Sequence, residues 1–193
     1  PNVHGILVML PCTFSDMDEA VTFSTPRHGV FEVGRYPGGI DDDDRRMAEA
    51  LEAGNIGGFP AEDVMAAKYG KLIINLVNII QAAVGVGAMK NAAPIREMAN
   101  VEAKAALAAA GITWRDVGGS DPRRDELMKQ VEVPGVVTVG GSTSQSLARG
   151  AGSVETDYLN GEISRLGRLH GVPTPVNDCL NRLGDQLARG GAA

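Results

Sequence analysis

The pattern of apolar and polar positions changes character once along the chain, near Ala61. Before it, short runs rich in Val, Ile, Phe and Thr occupy 5–10, 21–25 and 30–34, with turn formers such as Pro26 and Gly29 between them. Runs of this kind predict β-strands, the last two paired as a hairpin. Asp41 to Asp44 then precede Met47, Ala48 and Leu51. A block of carboxylates ahead of apolar residues at helical spacing predicts a helix start, where the backbone dipole favours negative charge, rather than a metal site. From Ala61 onward, Ala-rich and Leu-rich segments predict helices over 61–84, 94–110, 122–130, 142–148, 154–170 and 175–188. The last carries a single stripe, Val176, Leu180, Leu183 and Leu187, with Thr174 as cap and Pro175 at the first helical position. Gly171 and Pro173 end the helix before it. The expected organisation is therefore 1–60, strands plus one helix, followed by 61–193, all α.

Composition sharpens this picture by exclusion. With 193 residues and 44% hydrophobic side chains the chain can bury a real core. The net charge of −6 is concentrated early, since 1–60 hold 10 of the 24 acidic but only 4 of the 18 basic residues. Lys and Arg are scattered among carboxylates and aromatics make up 4%, so no basic stripe is offered to nucleic acid. The longest apolar runs, 6–10 and 72–80, are too short or too interrupted by Asn to span a bilayer, and no signal peptide opens the chain, which points to the cytoplasm. Cys12 and Cys179 lack partners at metal-ligand spacing and are expected as buried thiols. The chain opens without Met, on a Pro-Asn turn leading straight into an apolar run, as expected of a start in mid-domain.

Candidate chemistry sits in three stretches. In KLIINLVNII, 71–80, apolar residues surround the helix except at Lys71, Asn75 and Asn78, which fall on one narrow face at about 100° per residue. That stripe suits a cleft, or equally a snorkelling Lys beside two structural Asn residues. In VETDYLNGEI, 154–163, Glu155 lies four residues before Leu159 and extends the apolar stripe of Leu159, Ile163 and Leu166, placing a carboxylate on the buried side. The simpler alternative is a first-turn Glu favoured by the dipole. GGSTSQS, 140–146, is hydroxyl-rich and suits an anionic ligand near a helix start, though Gly-Ser runs are usually loops. GVGAMK, 85–90, begins like a dinucleotide fingerprint but ends in Lys and follows a helix, so it is rejected as a nucleotide loop.

Taken together, KLIIN, ETDYLNG and GVPTP resemble three ordered motifs of the ketopantoate reductase (2-dehydropantoate 2-reductase) family, and weaker similarity reaches back through the strands. The resemblance implies a mainly α fold: the helical C-terminal domain of such a protein, preceded by a few strands from the end of a truncated Rossmann domain that would bind NADPH. It implies that Lys71 hydrogen-bonds the substrate carbonyl and acts as general acid, that Asn75 binds substrate, and that Ser142 lies near the substrate carboxylate. Glu155 matches the glutamate that supports catalysis and cofactor placement. An extra residue between the serine-rich segment and Glu155 makes Ser144 a substitute for Ser142. A second substrate-contacting Asn normally follows the first by four residues; here Ile79 holds that place and Asn78 stands one earlier.

The glycine-rich loop of the family's first domain is absent, on the order of a hundred residues. The implied function is NADPH-dependent reduction of 2-dehydropantoate to pantoate in pantothenate and coenzyme A synthesis, with this chain inactive alone. The alternatives are a related 2-oxo acid reductase, or a noncatalytic helical dimerisation module. The implied partner is a small 2-oxo acid, with neither nucleic acid nor membrane, and a homodimer is left open.

Overall fold

The computed structural model describes residues 2–14, 19–136, 140–150 and 154–190. The chain is mainly α, with eight helices and seven short strands among the described residues. Packing divides it into two compact units, Pro1–Lys71 with Trp114–Val137, and Leu72–Thr113 with Thr138–Ala193. The first unit thus takes in a stretch, 114–137, that the sequence pattern groups with the helices.

In the first unit, β1 (His4–Met9), β5 (Val30–Arg35) and β6 (Gly57–Pro60) form one sheet in the order β1-β5-β6. β1 runs antiparallel to β5, with His4 opposite Arg35 and Met9 opposite Val30, whereas β6 runs parallel to β5. The parallel pair is joined by α1 (Asp42–Ala53), as a parallel connection requires a crossover. Leu7, Val30, Val33, Ala48 and Val64 are buried. β2 (Cys12–Phe14) pairs with β3 (Ala20–Thr22), and β4 (Ser24–Pro26) pairs with β7 (Met128–Gln130).

Those pairings correct two expectations. The hairpin of 21–25 with 30–34 does not form: the first run splits into β3 and β4, and β5 pairs with β1 and β6 instead. The helix over 122–130 stops after α5 (Pro122–Leu127), because the next three residues are recruited as β7 by β4. β6, with two Gly and a Pro in four residues, carries no strand pattern of its own.

A buried carboxylate holds the 114–137 stretch to the sheet. Glu32, on the central strand and 2% exposed, accepts from Arg115 and, at 2.7 Å, from Arg123. Arg123 also donates to Asp121 at 2.6 and 2.9 Å and lies 5.0 Å from the Phe59 ring centre. The hydrogen bonds from Arg123 hold the Asp121 carboxyl below its ordinary value. Removing either arginine would leave Glu32 as a buried, under-compensated charge, the costly case for an ion pair.

The acidic run is a helix start. Asp41 accepts from the backbone N–H groups of Asp43 and Asp44, and Asp44 accepts in return from that of Asp41. This reciprocal arrangement satisfies N–H groups that a helix leaves unpaired. Asp44 is fully buried and its Oδ1 lies 2.6 Å from His4 Nδ1. That hydrogen bond is the main cause of a His4 pKa raised above its ordinary 6.5. A raised folded-state value means that the contribution is complete below about 6.5 and is lost as pH rises through the folded value. Denaturant unfolding between mildly acidic and mildly alkaline pH should therefore show stability falling with pH, and His4→Gln should flatten that slope; parallel slopes would rule the pair out.

The second unit packs α3 (Asn78–Val84), α4 (Ala93–Ala109), α6 (Ser142–Ala148), α7 (Asn160–His170) and α8 (Pro175–Ala188). Ile79, Ile80, Ala92, Ala99 and Leu180 form a core cluster with Val176, Leu183 and Leu187 against it, so the predicted stripe of α8 faces inward. On α4, Ala99, Ala103, Ala106 and Leu107 are all buried, which gives the helix an apolar stripe at helical spacing. Gly171 ends α7 in the left-handed conformation, as its position before Pro173 suggests. Thr174, however, makes no side-chain cap. Glu102 on α4 performs that task, accepting from Val176 N at 2.9 Å and Asn177 N at 3.0 Å. Cys179 is exposed and Cys12 half-buried, neither in a disulfide and neither buried as expected. Cys179 falls outside the inward stripe of α8. No single helix among the described residues is long and apolar enough to cross a membrane.

Candidate active site

The helix expected over 61–84 is interrupted. α2 (Val64–Asn75) begins with Asp63, whose side chain accepts from Ala66 N at 3.0 Å, and stops after Asn75. Two residues, Leu76 and Val77, separate it from α3. Neither is Gly or Pro, and Val77 keeps helical dihedrals. The Leu76 carbonyl, which in an unbroken helix accepts the N–H four residues on, accepts instead from Asn160 Nδ2 at 3.3 Å.

Lys71 belongs to the first unit and is half-buried. Its ammonium donates to the Val8 carbonyl, and Lys68, three residues earlier, donates to the Ile6 carbonyl at 3.0 Å. Two lysines on one helix face therefore reach alternate carbonyls of β1. Asn75, Asn78, Ser142 and Glu155 belong to the second unit. Asn75 is half-buried at the last position of α2.

Asn78 and the hydroxyl-rich segment come together at one turn. Gln81, one turn along α3 from Asn78, accepts the backbone N–H of Gly141 at 2.6 Å. A side chain at Gly141 would begin 3.2 Å from Gln81 Oε1 and 3.6 Å from Asn78 Oδ1, so this turn lies against both amides of α3. Gly140, with φ +103°, turns the chain here, and its carbonyl accepts from Gln145 at 3.2 Å. Ser142 is the first residue of α6 and is exposed, while Ser144 is half-buried. Thr143 between them is 3% exposed and its hydroxyl has no hydrogen-bond partner. Gln81 carries no motif signal, and only its three-residue spacing from Asn78 points to it.

Glu155 departs from expectation. It is exposed at the start of a short 3-10 turn, Glu155–Tyr158, not on the buried side of a continuous helix. Leu159 then takes a non-helical conformation before α7 begins. A 3-10 turn followed by this break changes the angular register, so Thr156 and Asn160 point inward in place of Glu155. The rejected fingerprint at 85–90 runs into a 3-10 helix, Val86–Ala92, after α3 rather than after a strand.

The chain is similar in sequence to the ketopantoate reductase PanE/ApbA C-terminal family over residues 63–188. No curated protein matches it closely enough in sequence to add to that. Among solved structures it is similar to 2-dehydropantoate 2-reductase from Methylococcus capsulatus, at 20% identity and a TM-score of 0.69, covering 95% of this chain and 62% of that one. It is likewise similar to a PanE/ApbA family ketopantoate reductase from Ralstonia eutropha JMP134, at 23% identity and a TM-score of 0.67, covering 97% of this chain and 59% of that one. D-mandelate dehydrogenase in complex with NADH aligns at 20% identity with a TM-score of 0.71, covering 97% of this chain and 62% of that one. At such identities the structural likeness is one of fold. The chain spans about three fifths of the length of these proteins.

Proposed function

The chain belongs to the ketopantoate reductase family, and from that membership we propose that it is the substrate-handling part of an NADPH-dependent reductase converting 2-dehydropantoate to pantoate. Residues before 61 are then the end of a dinucleotide-binding domain of Rossmann type, and those after it the helical substrate domain. The observation that carries the reading is the polar turn where Asn78 and Gln81 meet Gly140–Gly141, ahead of Ser142, Thr143 and Ser144. It offers amide and hydroxyl groups in a setting that includes a buried, unpartnered hydroxyl, as a site for a small polar acid needs.

Lys71 is the group we assign to the reacting carbonyl. As a ketone is reduced, charge develops on its oxygen; an ammonium there stabilises that charge and then transfers a proton from Nζ to the new alkoxide, leaving a neutral amine to be reprotonated by solvent. Asn75 and Asn78 are assigned to substrate orientation and Ser142, or Ser144 beside it, to the carboxylate. NADPH is the hydride source of this reading. The described residues do not themselves fit it: their one Gly-x-Gly run, at 85–87, enters a 3-10 helix, not a strand-to-helix turn whose amides face a phosphate. The cofactor is therefore assigned to residues outside this chain, with the exposed Glu155 as the local candidate to assist its placement.

A second reading, a related 2-oxo acid reductase, is favoured by the likeness to a mandelate dehydrogenase fold; mandelate carries a phenyl ring where pantoate carries two methyls and a hydroxymethyl group, so the two readings differ in the pocket beside the carbonyl. Either reading places the protein in the cytoplasm with a small 2-oxo acid as partner, acting alone or as a homodimer. The test at the turn is Asn78→Ala in a protein carrying this chain together with a dinucleotide-binding domain. Loss of one hydrogen bond to a charged ligand should raise KM for the 2-oxo acid by about tenfold or more with a smaller change in kcat. An unchanged KM would remove Asn78, and with it the turn, from the substrate site.

A further inference from the structure

Asn160 is fully buried at the start of α7, and both hydrogens of its amide are used. One goes to the Leu76 carbonyl, in the two-residue break between α2 and α3, at 3.3 Å; the other goes to Asn177 Oδ1 at 3.0 Å. Asn177, itself fully buried, donates in turn to the Ala99 carbonyl at 3.0 Å and to Glu102 at 2.8 Å. Glu102 is fixed by the two backbone N–H groups it accepts at the start of α8. A chain of buried hydrogen bonds thus runs from α4 through α8 and α7 to one carbonyl at the helix break, every residue of it in the second unit.

That break has no local cause: the residues there are Leu and Val, neither of which interrupts a helix by its own chemistry. What distinguishes it is a side-chain amide occupying the carbonyl. The residues on either side of it, Asn75 at the end of α2 and Asn78 at the start of α3, are the two assigned to substrate. In an unbroken helix they would be about 300° apart in register, and any unwinding between them re-aims Asn78 relative to Asn75. We propose that Asn160 is a positioning residue: by holding the Leu76 carbonyl it fixes the α2–α3 break and thereby the relative orientation of Asn75 and Asn78, with Asn177 and Glu102 holding Asn160 in place. This inference rests on the substrate-handling reading for its consequence, but not for the hydrogen bond itself.

The test has two arms. Amide hydrogen exchange is measured on this chain for wild type, Asn160→Ala and Asn160→Asp, the last keeping the volume of Asn. KM and kcat are then measured for 2-oxopantoate in the protein that also carries a dinucleotide-binding domain. Exchange at 81–83, where the Gln81 N–H bonds the Val77 carbonyl inside the break, should accelerate by about tenfold while 164–168 in α7 stay protected, and KM should rise by about tenfold with kcat within a few-fold of wild type. Asn177→Ala, acting one bond further back, should give a weaker version of both and serves as the working variant if the Asn160 changes do not fold. Unchanged exchange at 81–83 would overturn the proposal. So would acceleration spread evenly over α7 and α8 with KM unchanged, the signature of a purely structural residue. A wild-type protein that reduces no 2-oxo acid would remove the functional reading instead, while the exchange pattern alone would still decide whether Asn160 holds the break.

Discussion

Replacing Lys71 by Ala, in a protein carrying this chain together with a dinucleotide-binding domain, should lower kcat for 2-oxopantoate by about a hundredfold to several thousandfold. The reasoning is differential. In the ground state the ammonium meets a neutral ketone oxygen; in the transition state it meets a developing alkoxide, so its contribution grows along the reaction and its loss appears chiefly in kcat. NADPH binding should change little, because no part of that interaction involves the cofactor. Lys71 also donates to the Val8 carbonyl, so some loss of stability accompanies the change. The two effects separate cleanly. A structural lysine would show a lower Tm with near-normal turnover in the folded fraction, and steady-state kinetics giving that result would end its role as general acid.

Gly70→Ala should destabilise the first unit, against the ordinary expectation that Ala improves a helix. Intrinsic propensity favours the substitution by about 1 kcal/mol. A Cβ at position 70, however, would overlap the carbonyl oxygen of Arg115. That oxygen is main chain, and the Arg115 N–H is bonded to the Ala66 carbonyl at 3.0 Å, one turn back on the same helix. The segment therefore cannot withdraw without breaking that bond and disturbing the Arg115–Glu32 pair. Overpacking against fixed backbone costs about 1–3 kcal/mol or more, so the clash outweighs the propensity gain. The expected result is a Tm lower by a few °C. Gly87→Ala, where no heavy atom lies within 4 Å, is the control and should leave Tm nearly unchanged. Equal melting temperatures for the two variants would show that α2 and the 114–116 segment are not packed as described.

Why some elements are legible in the sequence and others are not follows from where their causes lie. α6 and α8 have the predicted bounds, and α8 shows why: Pro175 at its first position and four apolar residues at helical spacing are local signals. The start of α1 is read correctly because its carboxylates cap their own helix. The α2–α3 break is invisible because its cause, Asn160, lies more than eighty residues away. β7 is invisible for the same reason, since Met128–Gln130 becomes a strand only through Ser24–Pro26. Thr174, next door in sequence, makes no cap on α8; Glu102 supplies it from another helix.

The candidate site divides in the same way. The motif residues can be named from order and spacing, but the face each one presents cannot. Glu155 reads as buried only if 154–170 is one continuous helix, and a single 3-10 turn moves Thr156 and Asn160 inward instead. Gln81 has no signature beyond its spacing from Asn78, yet it makes the hydrogen bond that ties α3 to Gly141.

The central claim is that this chain handles a 2-oxo acid for reduction. Its most direct test is the initial rate of NADPH oxidation by a protein carrying this chain together with a dinucleotide-binding domain, measured with 2-oxopantoate and, separately, with benzoylformate. The account predicts saturable turnover with 2-oxopantoate at a higher kcat/KM than with benzoylformate, and its loss in Lys71→Ala. A higher value for benzoylformate would transfer the protein to the second reading, and no turnover of either acid by a folded, NADPH-bound protein would contradict the claim outright.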